Sequence, residues 1–218
     1  MADHYVDQLA KLQPMLATQM GVFGFDGQWG EHNPSGWQDI SVLLTRTLSQ
    51  IQELPPSGRH WETLGRRVLK DHLSGRLESI ELGDTLRDLN NIASPIQLFR
   101  ETFDLMPKAS VDNWEAIASR LSGLDGAING YIESLSDGRR RGLTSARRQV
   151  EACVCQCGVN AGPGSYFEQL SESASNAEVP DTLQVEVYRG IAIARSAYQA
   201  WQITFRMNIF LTASRPMV

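Results

Sequence analysis

Residues 91–131 read NIASPIQLFRETFDLMPKASVDNWEAIASRLSGLDGAINGY and carry the strongest helical signal in the chain. Ser94 and Pro95 predict a helix start, because serine caps the first turn and proline tolerates a position where a backbone N–H has no partner. Pro107 predicts the end of this helix, since proline disrupts a helix interior. Ser110 predicts the N-cap of a second helix. The stretch therefore predicts two consecutive helices.

The second of these helices has a regular apolar stripe, because its large apolar residues recur at intervals of three and four. The stripe consists of Trp114, Ile117, Leu121, Leu124, Ile128, Tyr131 and Leu135. Gly123, Gly126 and Gly130 interrupt the helix, at a cost of about 1 kcal/mol each relative to alanine. We expect these glycines to let another helix approach closely.

Helical periodicity continues through most of the chain. One stripe contains Trp37, Ile40, Leu44, Leu48 and Ile51, the next Trp61, Leu64, Val68, His72 or Leu73, Leu77 and Ile80, and the last Leu183, Val187, Ile191, Ala194, Tyr198 and Trp201. Residues 21–36 contain five glycines and predict a loop. No window alternates long enough to predict a sheet. We predict an all-α, bundle-like array of about seven to nine helices with no substantial sheet.

The composition indicates a folded protein that binds neither nucleic acid nor membrane. The 218 residues are 42% hydrophobic with a net charge of -5, whereas a general nucleic-acid binder shows a basic face. The most apolar stretch, residues 191–212, contains two arginines, so we expect no membrane span. The N-terminus lacks a signal-peptide pattern. The three clustered cysteines imply no disulfide framework, which fits a reducing compartment, so we expect a cytoplasmic location.

Cys153, Cys155 and Cys157 form the most conspicuous local pattern. On a helix the first and third share a face and the second points away, so three thiolates cannot converge on one metal. A zinc site would also need a second pair of ligands. We expect the cysteines to pack as small apolar side chains in the core.

The histidines lack the partners that catalytic motifs require. His60-Trp61-Glu62 matches the first part of a zinc-deaminase signature, but no P-C-x-x-C segment follows it. His60 and His72 are twelve residues apart, and the sequence contains no H-E-x-x-H motif. We interpret them as histidines at the surface or at a helix start.

The densest basic run contains Arg139, Arg140, Arg141, Arg147 and Arg148. Such a run could bind phosphate or an acidic partner. We prefer the interpretation that these arginines lie on a solvated loop and on the polar face of a helix. The sequence has neither a phosphate-binding loop nor a G-x-S-x-G nucleophile elbow. We therefore predict no catalytic, cofactor-binding or metal-binding residue.

Residues 91–150 resemble a large bacterial family, number 885 among the domains of unknown function. The resembling segments are Asn91-Ile92-Ala93-Ser94-Pro95, Phe103-Asp104-Leu105-Met106-Pro107, the Trp114 helix with Ala118-Ser119-Arg120-Leu121, and Ala146-Arg147-Arg148-Gln149-Val150. The segment from Pro14 to Gly21, Phe25-Asp26 and the Trp37 helix resemble the start of the same domain. The resemblance extends from about residue 7 to about residue 200.

Members of that family resemble zinc-dependent, gluzincin-type peptidases and are much longer than this chain. The resemblance implies that their H-E-x-x-H helix and further zinc ligand lie in a C-terminal half without a counterpart here. We assign residues 1–200 to the helical N-terminal portion of the family's domain and residues 201–218 to a divergent C-terminal tail. A truncation or an altered reading frame is our hypothesis for that divergence, and the DNA beyond Val218 tests it.

The resemblance implies an N-terminal fragment that is inactive by itself. We expect zinc only in full-length relatives, and we expect the partner to be a missing or separately encoded C-terminal half. Two alternatives stay open. The chain could be a non-enzymatic helical module that binds a peptide or a partner helix in a groove. It could also be a non-functional remnant with an uncovered apolar surface.

Overall fold

The computed structural model describes residues 2–206, which form ten α-helices and no strand. With the six-residue α2 set aside, nine helices remain, and the predicted all-α fold is confirmed. The helices are α1 (Ala2–Leu12), α2 (Pro14–Gln19), α3 (Pro34–Glu53), α4 (His60–Glu81), α5 (Pro95–Leu105), α6 (Val111–Ser122), α7 (Leu124–Arg140), α8 (Arg147–Ala161), α9 (Tyr166–Ser175) and α10 (Asp181–Thr204). A 3₁₀ turn at Asp84–Leu86 follows α4.

The helices enclose two apolar cores. The smaller core lies between α1, α3 and α4 and contains Tyr5, Leu9, Ile40, Leu44, Ile51 and Leu73. The larger core is built mainly from α5 to α10 and also takes in Trp29 and Leu89. Contacts of α2 with α5 and of α3 with α7 join the two groups of helices.

The last described helix, α10, packs against α6, α7, α8 and α9. The six residues that periodicity predicted to point inward are all buried: Leu183, Val187, Ile191, Ala194, Tyr198 and Trp201. A Cβ at Gly190 would lie 2.6 Å from Cβ of Leu121, so glycine at this position permits the close approach of α10 to α6.

The predicted helix starts are confirmed by their caps. Ser94 and Gln97 form a capping box at the start of α5, with Pro95 in the first turn. Ser110 and Asn113 form a second capping box at the start of α6. These reciprocal hydrogen bonds satisfy backbone N–H groups that a helix leaves without partners.

The single long helix predicted from residue 114 onward is divided in the structure. α6 ends at Ser122, and α7 begins at Leu124 after a slight break at Gly123. The apolar stripe survives the break, because Trp114, Leu121, Leu124 and its other members are all buried.

The prediction that the glycines admit another helix was wrong, because a loop approaches two of them instead. A Cβ at Gly123 would lie 3.3 Å from Cδ1 of Trp29, and one at Gly130 would lie 3.3 Å from the backbone N of Asn33. A Cβ at Gly126 would meet nothing within 4 Å. The glycine-rich segment predicted as a loop therefore lies along α7.

The predicted C-terminal tail, residues 201–218, is described only in part. Its first residues continue α10 as far as Thr204, and residues 207–218 lie outside the described residues. Within residues 2–206, no helix is both long enough and apolar enough to cross a membrane.

Candidate functional site

The motif Asn91–Pro95 adjoins a hydrogen-bond hub at the backbone carbonyl of Asn90. This oxygen accepts hydrogen bonds from Oγ of Ser94 at 2.8 Å, from Nε2 of Gln97 at 3.1 Å and from Sγ of Cys153 at 3.2 Å. The donors come from the start of α5 and from α8. The motif therefore fastens two helices together, which is a structural role.

Three more side chains donate hydrogen bonds to backbone carbonyl groups near this hub. Nε2 of Gln156 donates to the carbonyl of Asn91 at 3.1 Å, and the hydroxyl of Tyr131 donates to the carbonyl of Asp88. The hydroxyl of Tyr198 donates at 2.8 Å to a carbonyl in the first turn of α5. Burial raises the pKa of Tyr131 and of Tyr198 well above the usual value, so both remain neutral donors.

Arg120 is a fully buried cation on α6. Its Nε and Nη2 donate to the carbonyl of Gln28 at 3.1 and 2.8 Å, and Nη2 also donates to Oγ1 of Thr18 at 3.0 Å and to the carbonyl of Phe25 at 3.3 Å. Oγ1 of Thr18 in turn donates to Asp26 at 2.6 Å. Burial lowers the pKa of Arg120 to about 10, so the side chain is still charged at neutral pH.

Trp29 covers this cation and closes the arrangement, which we name the Arg120 cage (Arg120 with Thr18, Phe25, Gln28 and Trp29). Nε1 of Trp29 donates to the carbonyl of Arg120 at 2.6 Å, and the guanidinium carbon lies 5.1 Å from the indole centroid. The indole also packs edge-on against aromatic rings of α5. The Arg120 cage thus fastens the glycine-rich loop to α6.

Sequence reasoning missed the Arg120 cage, although the sequence contained a signal. Arg120 follows Ile117 by three residues and precedes Leu124 by four, so the periodicity places a charge on the apolar face of the helix. A buried charge needs partners. Those partners lie about ninety residues earlier in the chain. Periodicity along one helix does not show which distant residues contact it.

Two of the three cysteines pack in the core, as the sequence predicted. Cys153 and Cys157 are buried in the larger core and Cys155 is exposed. Burial raises the pKa of Cys153 to about 11 and also raises the pKa of Cys157, so both stay protonated at neutral pH. The three thiols do not converge on one point that could hold a metal.

The other residues considered for chemistry lie at the surface. His60 begins α4 and is exposed, as is His72. In the basic run, Arg140 and Arg141 pair with Asp137 at 2.9 and 2.6 Å, and the run is exposed. Within residues 2–206 no three His, Cys, Asp or Glu side chains form a group that could hold a metal ion.

A surface recess of about 580 Å³ lies between α3, α4 and α7. Arg46 and Arg141 line it together with Asp137, Glu81 and the ring of Trp37. Charges of both signs alternate with apolar groups around this recess. No pair of side chains in it has the arrangement of a nucleophile and its base.

The structure corrects the first part of the predicted inward face of α4. Trp61, Leu64 and Val68 are 79%, 42% and 59% exposed, although periodicity placed them in the core. The rest of the predicted stripe is confirmed, because Leu73, Leu77 and Ile80 contact the smaller core, and Leu69 joins them. α4 therefore has a second apolar face, which we name the outer face of α4 (Trp61, Leu64 and Val68). It is the best candidate for an interaction surface in the described residues.

Comparisons with known proteins place this fold in a family. No curated protein matches the chain. A solved structure of a protein of unknown function from Shewanella oneidensis, designated a lipoprotein, matches 95% of the chain with a TM-score of 0.75 at 15% identity. The match covers 36% of that protein, so this chain spans about a third of its length, and the likeness shows a shared fold. Residues 14–213 match the family described as bacterial protein of unknown function (DUF885), and the chain belongs to that family.

Proposed function

We propose that this chain is the N-terminal helical portion of a gluzincin-like zinc metallopeptidase relative and forms part of a wall of its substrate cleft. The observation that carries the proposal is the match of nearly the whole chain to only 36% of a longer solved protein. We expect such a unit to support the structure of the longer protein, and its buried polar groups hold segments of the chain together. The Asn90 hub and the Arg120 cage both join segments of the chain.

The chemistry of the complete protein would come from the remaining two thirds. There the histidines of H-E-x-x-H would hold zinc, which would supply Lewis-acid activation of water for amide hydrolysis, and the glutamate of the motif would serve as general base. This chain alone would then bind no stoichiometric zinc and cleave no peptide. The cytoplasmic location predicted from the sequence stays a prediction, because the protein matched in structure is designated a lipoprotein.

Metal analysis and a peptidase assay test this proposal. The chain is purified alone, and again after co-expression with the part of the Shewanella oneidensis protein outside the matched region. We expect zinc only in the co-purified complex. One tightly bound zinc per isolated chain, or peptide cleavage by the isolated chain, would contradict the proposal.

The outer face of α4 favours a second candidate function, a helical module that binds a partner without enzymatic chemistry. Its three exposed apolar side chains lie on one side of an exposed helix. Helix-in-groove recognition uses apolar anchors at this spacing. A stable complex of the isolated chain with a protein that has no H-E-x-x-H motif would support this candidate over the first.

A further inference from the structure

The recess between α3, α4 and α7 has the size of a site for a small ligand. Its volume of about 580 Å³ lies within the roughly 300–1,000 Å³ that such sites occupy. One wall is α3, which contributes residues at intervals of three and four from Pro34 to Arg46. This part of the helix rises about 18 Å, so an elongated ligand suits the recess. We name it the α3 recess and define it by Trp37, Val42, Arg46, Leu77, Glu81 and Thr85.

Apolar side chains form part of the lining of the α3 recess. Val42 is 57% exposed there, although a large apolar side chain on a helix usually faces a core. Leu77 packs against the smaller core and is only partly buried. Because the removal of apolar surface from water is favourable, the recess suits a ligand that carries apolar groups.

Two buried polar atoms of the lining residues have no hydrogen-bond partner within residues 2–206. They are Nε1 of Trp37 and Oγ1 of Thr85. A buried polar group without a partner is destabilising, so each one in a folded protein needs an explanation. An indole N–H can only donate, whereas a hydroxyl can donate or accept. A peptide backbone offers a carbonyl oxygen to Trp37 and either kind of partner to Thr85.

Two unpaired charges of opposite sign also line the α3 recess. Arg46 and Glu81 are exposed, and neither takes part in an ion pair in the described part of the chain. The other lining carboxylate, Asp137, already pairs with Arg141 at 2.6 Å. A carboxylate of a ligand would therefore pair with Arg46, and an ammonium group would pair with Glu81.

The arrangement of α3 and α4 keeps these two charges apart. The two helices pack against each other and a short connection joins them, so they run antiparallel. Glu81, the last residue of α4, therefore lies near the start of α3, whereas Arg46 lies about 18 Å along that helix. Both side chains are long and shorten the gap. An extended chain advances about 3.3–3.6 Å per residue, so about four residues span it.

We infer that the α3 recess binds a short apolar peptide of about four residues whose two ends are free. The carboxylate of the peptide pairs with Arg46, and its ammonium group pairs with Glu81. Its backbone supplies the hydrogen-bond partners that Trp37 and Thr85 lack, and its apolar side chains cover Val42. The inference is independent of the proposed function, because it requires neither zinc nor the remaining two thirds of a longer protein.

Nuclear magnetic resonance tests this site on the full chain. The probe is the tetrapeptide Ala-Leu-Leu-Ala with free ends, compared with its C-terminal amide and with its N-acetyl derivative. Titration follows the indole N–H signal of Trp37, which is identified by its loss in Trp37→Phe. The variants are Arg46→Gln and Glu81→Gln. Their controls are Arg148→Gln and Glu186→Gln, which neutralise exposed charges on α8 and α10.

We expect the free tetrapeptide to shift the Trp37 signal, and we expect each blocked peptide to bind the wild-type chain about fivefold more weakly. In Arg46→Gln the free peptide and the amide should bind equally. In Glu81→Gln the free and the N-acetylated peptides should bind equally, whereas both controls should keep the wild-type differences. Equal thermal unfolding midpoints of the variants check that the fold is intact.

Three results would overturn the inference. The first is a Trp37 signal that the free tetrapeptide leaves in place at millimolar concentration. The second is equal binding of the free peptide and the amide by the wild-type chain, which would remove the role of Arg46. The third is equal binding of the N-acetylated peptide, which would reassign the recess to the C-terminal end of a longer chain.

Discussion

Replacing Arg120 with methionine tests whether the Arg120 cage holds the glycine-rich loop in place. Methionine keeps an apolar stem but removes the guanidinium that donates to Gln28, Thr18 and Phe25. A hydrogen bond to a charged group contributes about 1.5–3 kcal/mol, and bonds to one guanidinium are not additive. Breaking a buried charged arrangement costs about 3–5 kcal/mol, and we expect Arg120→Met to lower the free energy of unfolding by that amount.

Urea unfolding followed by far-ultraviolet circular dichroism measures this loss at pH 7. Arg148→Met is the matched control, because Arg148 is exposed on α8, and we expect its effect to stay within about 0.5 kcal/mol. Hydrogen exchange adds a local measurement. Amides between residues 18 and 33 should exchange much faster in Arg120→Met, while those of α8 change with the global stability alone.

A loss of less than about 1 kcal/mol, the usual size for an ordinary hydrogen bond, would refute this reasoning. It would mean that water or a rearranged loop satisfies the carbonyl groups without the guanidinium. Arg120→Lys separates charge from geometry, because lysine keeps the charge and loses the planar fork. We expect the lysine variant to fall between the wild type and the methionine variant.

Gly138→Ala should destabilise the protein by about 2–4 kcal/mol in urea unfolding, because the new Cβ would lie 2.1 Å from the carbonyl oxygen of Leu86. Gly75→Ala should instead stabilise it by about 0.5–1 kcal/mol, because its new Cβ would meet nothing within 4 Å. Equal effects of the two substitutions would contradict the packing described for Gly138. A thiol reagent should modify Cys155 alone in the native chain, because Cys153 and Cys157 are buried, and should modify all three cysteines in denaturant. Rapid labelling of all three cysteines in the native chain would contradict the burial of Cys153 and Cys157. Burial lowers the pKa of His32 to about 4, so the unfolded chain binds a proton more readily and stability falls as pH drops below about 6.5. Between pH 7.5 and pH 5 the wild type should lose about 2 kcal/mol more than His32→Gln, and parallel losses would show that His32 is accessible to water.

The fold could be predicted from the sequence wherever local signals are sufficient. Serine followed by proline and the capping box at Ser110 mark helix starts because the atoms involved are close in the chain. The stripe of α10 was predicted correctly, and all six of its residues are buried. Periodicity could not show the break at Gly123, since the apolar stripe continues in phase across it.

The candidate surface on α4 could not be predicted, because this helix has two apolar stripes with helical spacing. Trp61, Leu64 and Val68 fit one stripe, and Leu69 and Leu73 begin the other. Periodicity shows that a face is apolar, but contacts with distant helices decide which face is buried. The contact between α3 and α4 makes that choice here.

The place of α10 in the fold has a consequence for synthesis on the ribosome. This helix follows α6, α7, α8 and α9 in the chain and packs against all four. A nascent chain that has only reached α9 therefore exposes the apolar faces that α10 will cover, including Leu121 and Phe167. Such late, non-local contacts slow folding and leave aggregation-prone intermediates. We expect the emerging chain to depend on chaperones until residue 204 has left the ribosome.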